Sequence, residues 1–351
     1  MKKVFLLFIS LMLLTGCGKV NKDGLIKDFK DSVEEAKSYV TESVMEIYNA
    51  EDTFTYNISV AYMDDDYFRV KMINVMNNHE QIILRNKDDV YVITPSLNKS
   101  YRFVSEWPYN SSQSYILNTL VRDIEDSGEV VFTEEKEGYS LTVDVNYPNN
   151  TNLIYEKIYF NKDKKLSNVD VYDNNDVVAI SVKFNKIDYK ANLENKDFDV
   201  NNVVEGNCCN TNEEGNDGTN KEDKGTDKKN ENKTTGSFDD IVYPLYVPAN
   251  TFLKNKEMIN TEKGDRAILT FNGDKNFILI EEQASISDEF EVVSVYGDPT
   301  MMNSTIGALS DNSLSWTIDN VDYYLASNDL SSTELLTIAD SLGAASLVVE
   351  K

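Results

Sequence analysis

A stretch of 28 residues, 210–237, contains no apolar side chain and divides the chain into two segments that can each fold. Such a stretch cannot bury enough apolar surface to offset the entropy of ordering its own backbone. Because its positive and negative charges nearly balance, we interpret it as a solvated spacer, the alternative being an acidic interaction tail. We therefore predict folded segments over residues 22–205 and 238–351, joined by a disordered linker over residues 206–237.

The N-terminus has the pattern of an export signal. Lys2 and Lys3 precede an apolar run over residues 4–14, which is too short to cross about 30 Å of hydrocarbon as a permanent helix. The run leads into Leu14-Thr15-Gly16-Cys17, which resembles the lipobox of bacterial lipoproteins. In that motif the Cys sulfur receives a diacylglyceryl group and becomes the mature N-terminus.

The lipobox resemblance implies that residues 1–16 are a signal peptide, that Cys17 carries acyl chains such as palmitate, and that residues 17–21 form a short tether. Two acyl chains give stable anchoring where one would be marginal. We therefore expect the protein on the extracytoplasmic face of the cell membrane, attached by its lipid. The alternative is an ordinary secretory signal whose cleavage site includes Cys17.

Charge and residue counts disfavour several classes of function. Lys and Arg number 34 against 60 Asp and Glu, a formal net charge of −26, which argues against a nucleic-acid partner because phosphates need clustered cations. The single His, His79, limits His-based catalysis and metal binding. The adjacent Cys208 and Cys209 have no neighbouring ligands to complete a zinc site. The composition therefore favours a protein that is not an enzyme and uses no metal or cofactor.

Periodicity in the first segment predicts one helix followed by many short strands. Apolar residues recur at three- and four-residue spacing over residues 24–37 and then alternate with polar residues from Phe54 onward. Antiparallel strands at this spacing predict a large curved sheet or partial barrel. The predicted strands cover residues 54–60, 67–72, 81–84, 90–94, 101–104, 141–147, 153–160, 167–172 and 177–184.

A second helix is predicted between the two groups of strands. Ser112 is placed to cap it, and its apolar residues run from Tyr115 to Ile124. The apolar face is too wide for solvent, so we expect this helix to lie across the concave side of the sheet. The residues predicted to line a cavity or partner face there, with core packing as the alternative, are Trp107, Tyr109, Tyr115 and Leu120.

The second segment predicts a small α+β domain. Strands are predicted over residues 267–271, 277–281 and 323–326, with Asn272-Gly273 as a hairpin turn. A capping box over residues 331–334 begins a terminal helix with a buried apolar face. The pattern also resembles a C-terminal domain of unknown function that occurs in extracytoplasmic parts of some anti-sigma regulators.

Three motifs of the first segment are Tyr91-Val92-Ile93-Thr94-Pro95, Asn98-Lys99-Ser100-Tyr101 and Trp107-Pro108-Tyr109-Asn110-Ser111-Ser112-Gln113. They resemble motifs of the LolA-like lipoproteins of spore-forming Firmicutes, which are germination and sporulation lipoproteins related to the outer-membrane lipoprotein carrier. The resemblance covers residues 37–198. It implies a mainly β fold with some α, an incomplete antiparallel β-barrel covered by helices, followed here by the small C-terminal α+β domain.

The same resemblance implies a function. In the carrier, the cavity holds the acyl chains of a passenger lipoprotein, but this chain has its own lipobox and the carrier is a soluble shuttle. We therefore expect a fixed lipoprotein that binds an envelope protein partner, with a cortex amidase as the family's candidate, or an acyl or lipid ligand. The role implied is cortex processing in sporulation or spore germination.

Two alternative functions stay open at this point. An envelope-sensing module would use the second segment to read a signal, and an envelope hydrolase would need catalytic carboxylates or His79. His79 is predicted at the surface, and Asp64-Asp65-Asp66 is predicted as a solvated turn, since it lacks the spacing of a calcium loop. The acidic pairs Glu134-Glu135 and Glu281-Glu282 carry little information without geometry.

Overall fold

The computed structural model describes residues 19–49, 52–87, 89–204, 241–261, 264–286 and 289–346. The predicted signal peptide, the lipidation site at Cys17, the linker and the Cys208-Cys209 pair lie outside these described residues. No described helix has both the length and the apolar character needed to cross a membrane.

The first segment begins with a helix, α1 (Lys22–Glu34), whose N-terminus is capped by Asn21 through a hydrogen bond from the Gly24 amide. Leu25, Phe29 and Val33 form its buried face, so the predicted helix is confirmed and is slightly displaced toward the N-terminus. The strands of this segment are β1 (Ser38–Tyr48), β2 (Thr53–Met63), β3 (Tyr67–Asn74), β4 (Glu80–Asn86), β5 (Asp89–Thr94), β6 (Lys99–Phe103), β7 (Val131–Glu135), β8 (Gly138–Asp144), β9 (Leu153–Asn161), β10 (Leu166–Asp173) and β11 (Val178–Asp188).

These strands form most of a 12-stranded open sheet whose order is β15-β6-β5-β4-β3-β2-β1-β11-β10-β9-β8-β7, where β15 (Glu291–Ser294) comes from the second segment. All neighbours within the first segment are antiparallel, for example Val40 opposite Ala61 between β1 and β2. The sheet does not close on itself, which confirms the predicted incomplete antiparallel barrel. β1, at its centre, is absent from the strands predicted above.

Helices cover the concave face of this sheet. The second helix, α2 (Leu117–Asp126), packs beside α1, and both contribute to one buried cluster with the sheet. The prediction that Ser112 caps this helix is wrong, because the helix begins after Ile116 and has no side-chain cap. Ser112 instead pairs with Asn146, donating its amide to the carbonyl at 2.7 Å and accepting the Asn146 amide on its hydroxyl at 2.8 Å.

The opposite face of the sheet is partly covered by the end of the first segment. A 3-10 turn (Asn195–Phe198) and a short helix, α3 (Val200–Val204), place Phe198 and Val203 against buried side chains of β3, β4 and β5. Phe198 is fully buried. The central strands are therefore enclosed on both sides, as a continuous apolar run such as Ile82 to Leu84 requires.

The second segment contains seven further strands, β12 (Thr251–Thr261), β13 (Gly264–Gly273), β14 (Phe277–Gln283), β16 (Asp298–Met301), β17 (Ile306–Leu309), β18 (Ser313–Ile318) and β19 (Val321–Ala326). They form a sheet with order β12-β13-β14-β19-β18-β17-β16, followed by one terminal helix, α4 (Ser332–Ser346). The capping box is confirmed, since the Ser331 amide donates to the Glu334 carboxylate at 2.9 Å. The Asn272-Gly273 turn is wrong, because both residues belong to a strand and Gly273 lies opposite Thr251.

Candidate functional site

Three of the four residues predicted to line a cavity or partner face lie in the core between the helices and the large sheet. Trp107 is 1% exposed, Tyr115 4% and Leu120 0%. Tyr109 is 40% exposed, and its hydroxyl donates to Asp66 at 2.6 Å. The structure therefore brings the first three together in the packed interior and leaves Tyr109 at its rim.

The interior is fixed by buried polar contacts as well as by packing. The Arg85 guanidinium, on β4, donates to the carbonyl oxygens of Trp107 at 2.8 Å and Ser105 at 3.1 Å. The Phe68 ring packs edge-on against both Trp107 and Tyr109. Side chains of the sheet and of both helices belong to one buried cluster, so this region is a packed core. A lipoprotein carrier would instead need an open cavity for acyl chains at this place.

Two carboxylates that sequence patterns do not single out are buried beside this core. Glu156 on β9 is 0% exposed and Asp123 on α2 is 4% exposed. Both Glu156 oxygens and Asp123 Oδ2 have no hydrogen-bond partner among the described residues. Burial raises the pKa of Asp123 to about 6, and burial together with the neighbouring Asp123 raises the pKa of Glu156 well above its usual value.

Asp123 also forms part of the wall of a cavity of about 180 Å³. Tyr109, Asp126, Asp144 and Asn146 line the same cavity. Arg122, at this wall, donates to the carbonyl oxygens of Tyr109 and Ser111, each at 2.6 Å. The cavity is polar and acidic, and the described residues hold no group of three or more His, Cys, Asp or Glu suited to a metal ion.

The two segments are joined by a buried polar interface. β15 pairs in parallel with β6 and extends the first sheet by one strand. The Gln81 side-chain oxygen on β4 accepts the Ile306 amide at 2.8 Å and the Thr305 hydroxyl at 3.0 Å. The Tyr56 hydroxyl donates to the Asn303 carbonyl at 2.7 Å. Buried hydrogen bonds of this kind fix the position of one segment on the other.

A second cavity, of about 240 Å³, lies between the segments at this interface. Its walls come from β4, β5 and β6 on one side and from β14, β17, β18 and β19 on the other. Tyr101 of β6 lines it, with its hydroxyl 3.5 Å from Thr317 Oγ1. Sequence patterns gave no signal for this interdomain cavity, because its walls meet only through pairing between distant segments.

The acidic and His residues weighed from the sequence form no group of three or more metal-ligating side chains in the described part of the chain. Asp65 and Asp66 have positive φ values of 65° and 67°, as in the tight turn predicted. His79 is half-buried, and burial lowers its pKa, so the prediction of a surface His is wrong in part. Burial raises the pKa of Glu281 to about 7, where its carboxylate accepts the Val242 amide at 3.0 Å.

Sequence comparison places this fold among known proteins. The family described as "Sporulation protein YdcC-like" matches residues 1–198. A protein of Bacillus subtilis (strain 168), "Sporulation protein YdcC", is 34% identical over 335 residues, covering 95% of this chain and 94% of the relative. The chain belongs to the sporulation protein YdcC-like family. The match to this relative spans both segments, so the relationship extends beyond the first segment into the second.

Comparison with solved structures gives matches of low similarity. A chain of the Pseudomonas aeruginosa MucA/MucB complex is 10% identical, covering 88% of this chain and 95% of that one, with a TM-score of 0.31. A chain of the Clostridioides difficile complex of the CwlD amidase with the GerS lipoprotein is 16% identical, covering 50% and 100%, with a TM-score of 0.30. The LolA superfamily protein NE2245 from Nitrosomonas europaea is 9% identical, covering 52% and 99%, with a TM-score of 0.31.

Proposed function

We propose that this member of the family is a lipoprotein, anchored through Cys17 to the extracytoplasmic face of the membrane, that binds an envelope protein partner during sporulation or germination. The observation that carries the proposal is the match over 95% of the chain to a sporulation protein. The lipobox-like Leu14-Thr15-Gly16-Cys17 supports the anchor. Acyl chains at one residue account for membrane attachment without a membrane-spanning helix.

The packing between the helices and the 12-stranded sheet supports a protein partner over an acyl ligand. Trp107, Leu117 and Leu120 are each at most 1% exposed and occupy the space between α2 and the concave sheet face. An acyl chain entering there has to displace this core, at a cost of several kcal/mol for each large side chain removed from it. We therefore place binding on the outside of the sheet.

The outer edge of β15 is the surface we propose for the partner. β15 is the terminal strand of the 12-stranded sheet in the described structure, so its outer backbone groups can pair with an added strand. Three apolar residues lie on or beside it: Val104 is 90% exposed, Tyr296 94% and Val292 48%. Exposed aromatic and aliphatic side chains next to an open strand edge are typical of protein interfaces.

The anchor is tested with a Cys17→Ser variant in a Bacillus subtilis strain lacking the relative. We expect the wild-type chain to incorporate labelled palmitate and to sediment with membranes, and the variant to lose both properties and its contribution to heat-resistant spore yield. A Cys208→Ser/Cys209→Ser variant is the matched control, since it removes thiols but leaves the lipobox intact. Unlabelled wild-type protein found in the cytosol contradicts the anchor.

The partner surface is tested by co-purification with a cortex amidase from sporulating cells. Val104→Asp combined with Tyr296→Asp is expected to lower amidase recovery at least tenfold, because hot-spot residues carry most interface energy. Val177→Asp, at another apolar position that is 58% exposed, is the control and is expected to leave recovery unchanged. If the double variant and the Val177→Asp control recover equal amounts of amidase, the β15 edge is not the partner surface. If the wild type recovers no amidase, this partner is ruled out.

A further inference from the structure

The interdomain cavity has the size of a site for one small ring. Its volume of about 240 Å³ lies just below the range of roughly 300–1,000 Å³ that is usual for drug-sized ligands. One side is formed by Val92, Thr94 and Tyr101 and the other by Ile280, Glu282 and Tyr324. Because both segments contribute, a ligand there contacts the first sheet and the second sheet at once.

Two polar atoms in these walls are buried without a hydrogen-bond partner in the described part of the chain. One is Oε1 of Glu282, whose Oε2 accepts from two nitrogens of Arg266 at 3.0 and 2.7 Å. The other is the hydroxyl Oγ1 of Thr94, a residue that is 1% exposed. A buried acceptor left unpaired costs free energy that a ligand hydroxyl can recover.

The two carboxylates that line the cavity, Glu282 and Asp322, each have a cationic partner behind the wall. Glu282 is paired with Arg266, and Asp322 lies 3.8 Å from the Lys99 ammonium, whose side chain is 7% exposed. The Thr317 hydroxyl also donates to Asp322 at 2.5 Å. A ligand can therefore donate hydrogen bonds to carboxylate oxygens without having to neutralise a net charge, which favours a neutral ligand over an amine or an acid.

The remaining walls are aromatic and aliphatic. Tyr101 is half-buried and Tyr324 is 43% exposed, and Ile280 lies on the same sheet face as Glu282. A pyranose ring has apolar C–H faces that stack on aromatic rings and hydroxyls at its edge that donate to carboxylates. We propose that the interdomain cavity binds one neutral sugar ring, held by Glu282 and Thr94 and stacked against tyrosine.

Saturation-transfer NMR on the detergent-solubilised full chain tests this site, with N-acetylglucosamine as the neutral probe and glucosamine as the cationic one. We expect saturation transfer to the ring protons of N-acetylglucosamine and at least fivefold weaker binding of glucosamine. Tyr324→Ala is expected to weaken binding about tenfold by removing a stacking surface. Thr94→Val, of similar shape, is expected to weaken it about fivefold by removing one hydrogen bond.

Matched controls separate loss of the site from loss of the fold. Tyr48→Ala removes a tyrosine that is 39% exposed on β1, and Thr41→Val removes another buried hydroxyl without a described partner; neither residue lines the cavity. Both controls are expected to bind N-acetylglucosamine as wild type does. No transfer with wild type, equal weakening in the controls, or a preference for glucosamine each overturns the proposal.

Discussion

Replacing Asp123 with Asn removes a buried carboxyl whose ionisation disfavours the folded state. Burial raises its pKa from 3.8 to about 6 in the folded protein. At pH values between these two pKa values, the folded state binds more protons than the unfolded state, so the free energy of unfolding falls as the pH rises. The stability contribution is complete below the unfolded pKa and is lost above the folded one.

The size of this effect follows from the pKa difference. About two pKa units at 1.36 kcal/mol each amount to about 3 kcal/mol, and Asp123 is buried enough that solvent screens little of it. Nearly all of the loss, about 2–3 kcal/mol, falls between about pH 4 and about pH 8. Glu156, whose pKa burial also raises well above its usual value, adds to the loss in the same direction.

Urea unfolding of wild type and Asp123→Asn at the two pH values measures this contribution. We expect the wild type to lose about 2–3 kcal/mol more unfolding free energy than the variant between about pH 4 and about pH 8. Asp163→Asn removes the same charge from an exposed position between β9 and β10, away from the groups that shift the Asp123 pKa, and is expected to retain the wild-type pH dependence. Equal pH dependence in wild type and Asp123→Asn refutes the burial argument.

Three further predictions concern stability, each measured by urea unfolding. Gln81→Leu leaves the buried Ile306 amide without its acceptor and is expected to cost about 1–3 kcal/mol; no loss means that this bond does not hold the segments together. Leu120→Ala in the core is expected to cost about 2–5 kcal/mol, and a cost near zero indicates an open interior. Ser331→Ala removes the cap of α4 and is expected to cost about 1 kcal/mol, with Ser310→Ala as a control outside the helix.

The sequence predicts strands where one face is apolar and the other polar. β2 and β3 follow this rule, and the predicted strands over residues 54–60 and 67–72 cover most of each. β1 was missed because two of its inward positions, Thr41 and Ser43, are polar, so its alternation is hidden. β12 was missed because nearly every residue in it is exposed, and a strand without a buried face has no period to detect.

The candidate sites were harder to predict than the fold. The sequence identifies Trp107 and Leu120 as candidates for a cavity or partner face, but residue type alone does not distinguish a core residue from a cavity wall. Glu156 sits in an alternating strand among inward apolar neighbours, and that misplaced charge is the one signal that could have revealed the carboxylate pair. The interdomain cavity depends on contacts such as Gln81 to Ile306, 225 positions apart, which local patterns cannot report.

The parallel pairing of β15 with β6 makes the first sheet depend on the second segment for its terminal strand. A chain stopped at the linker cannot supply β15, so the backbone groups of β6 are left as an unpaired strand edge open to other molecules. Removing the second segment therefore also leaves the first sheet without its terminal strand. During synthesis, the first sheet stays incomplete until β15 has been made, which favours slow folding through species with an unpaired strand edge.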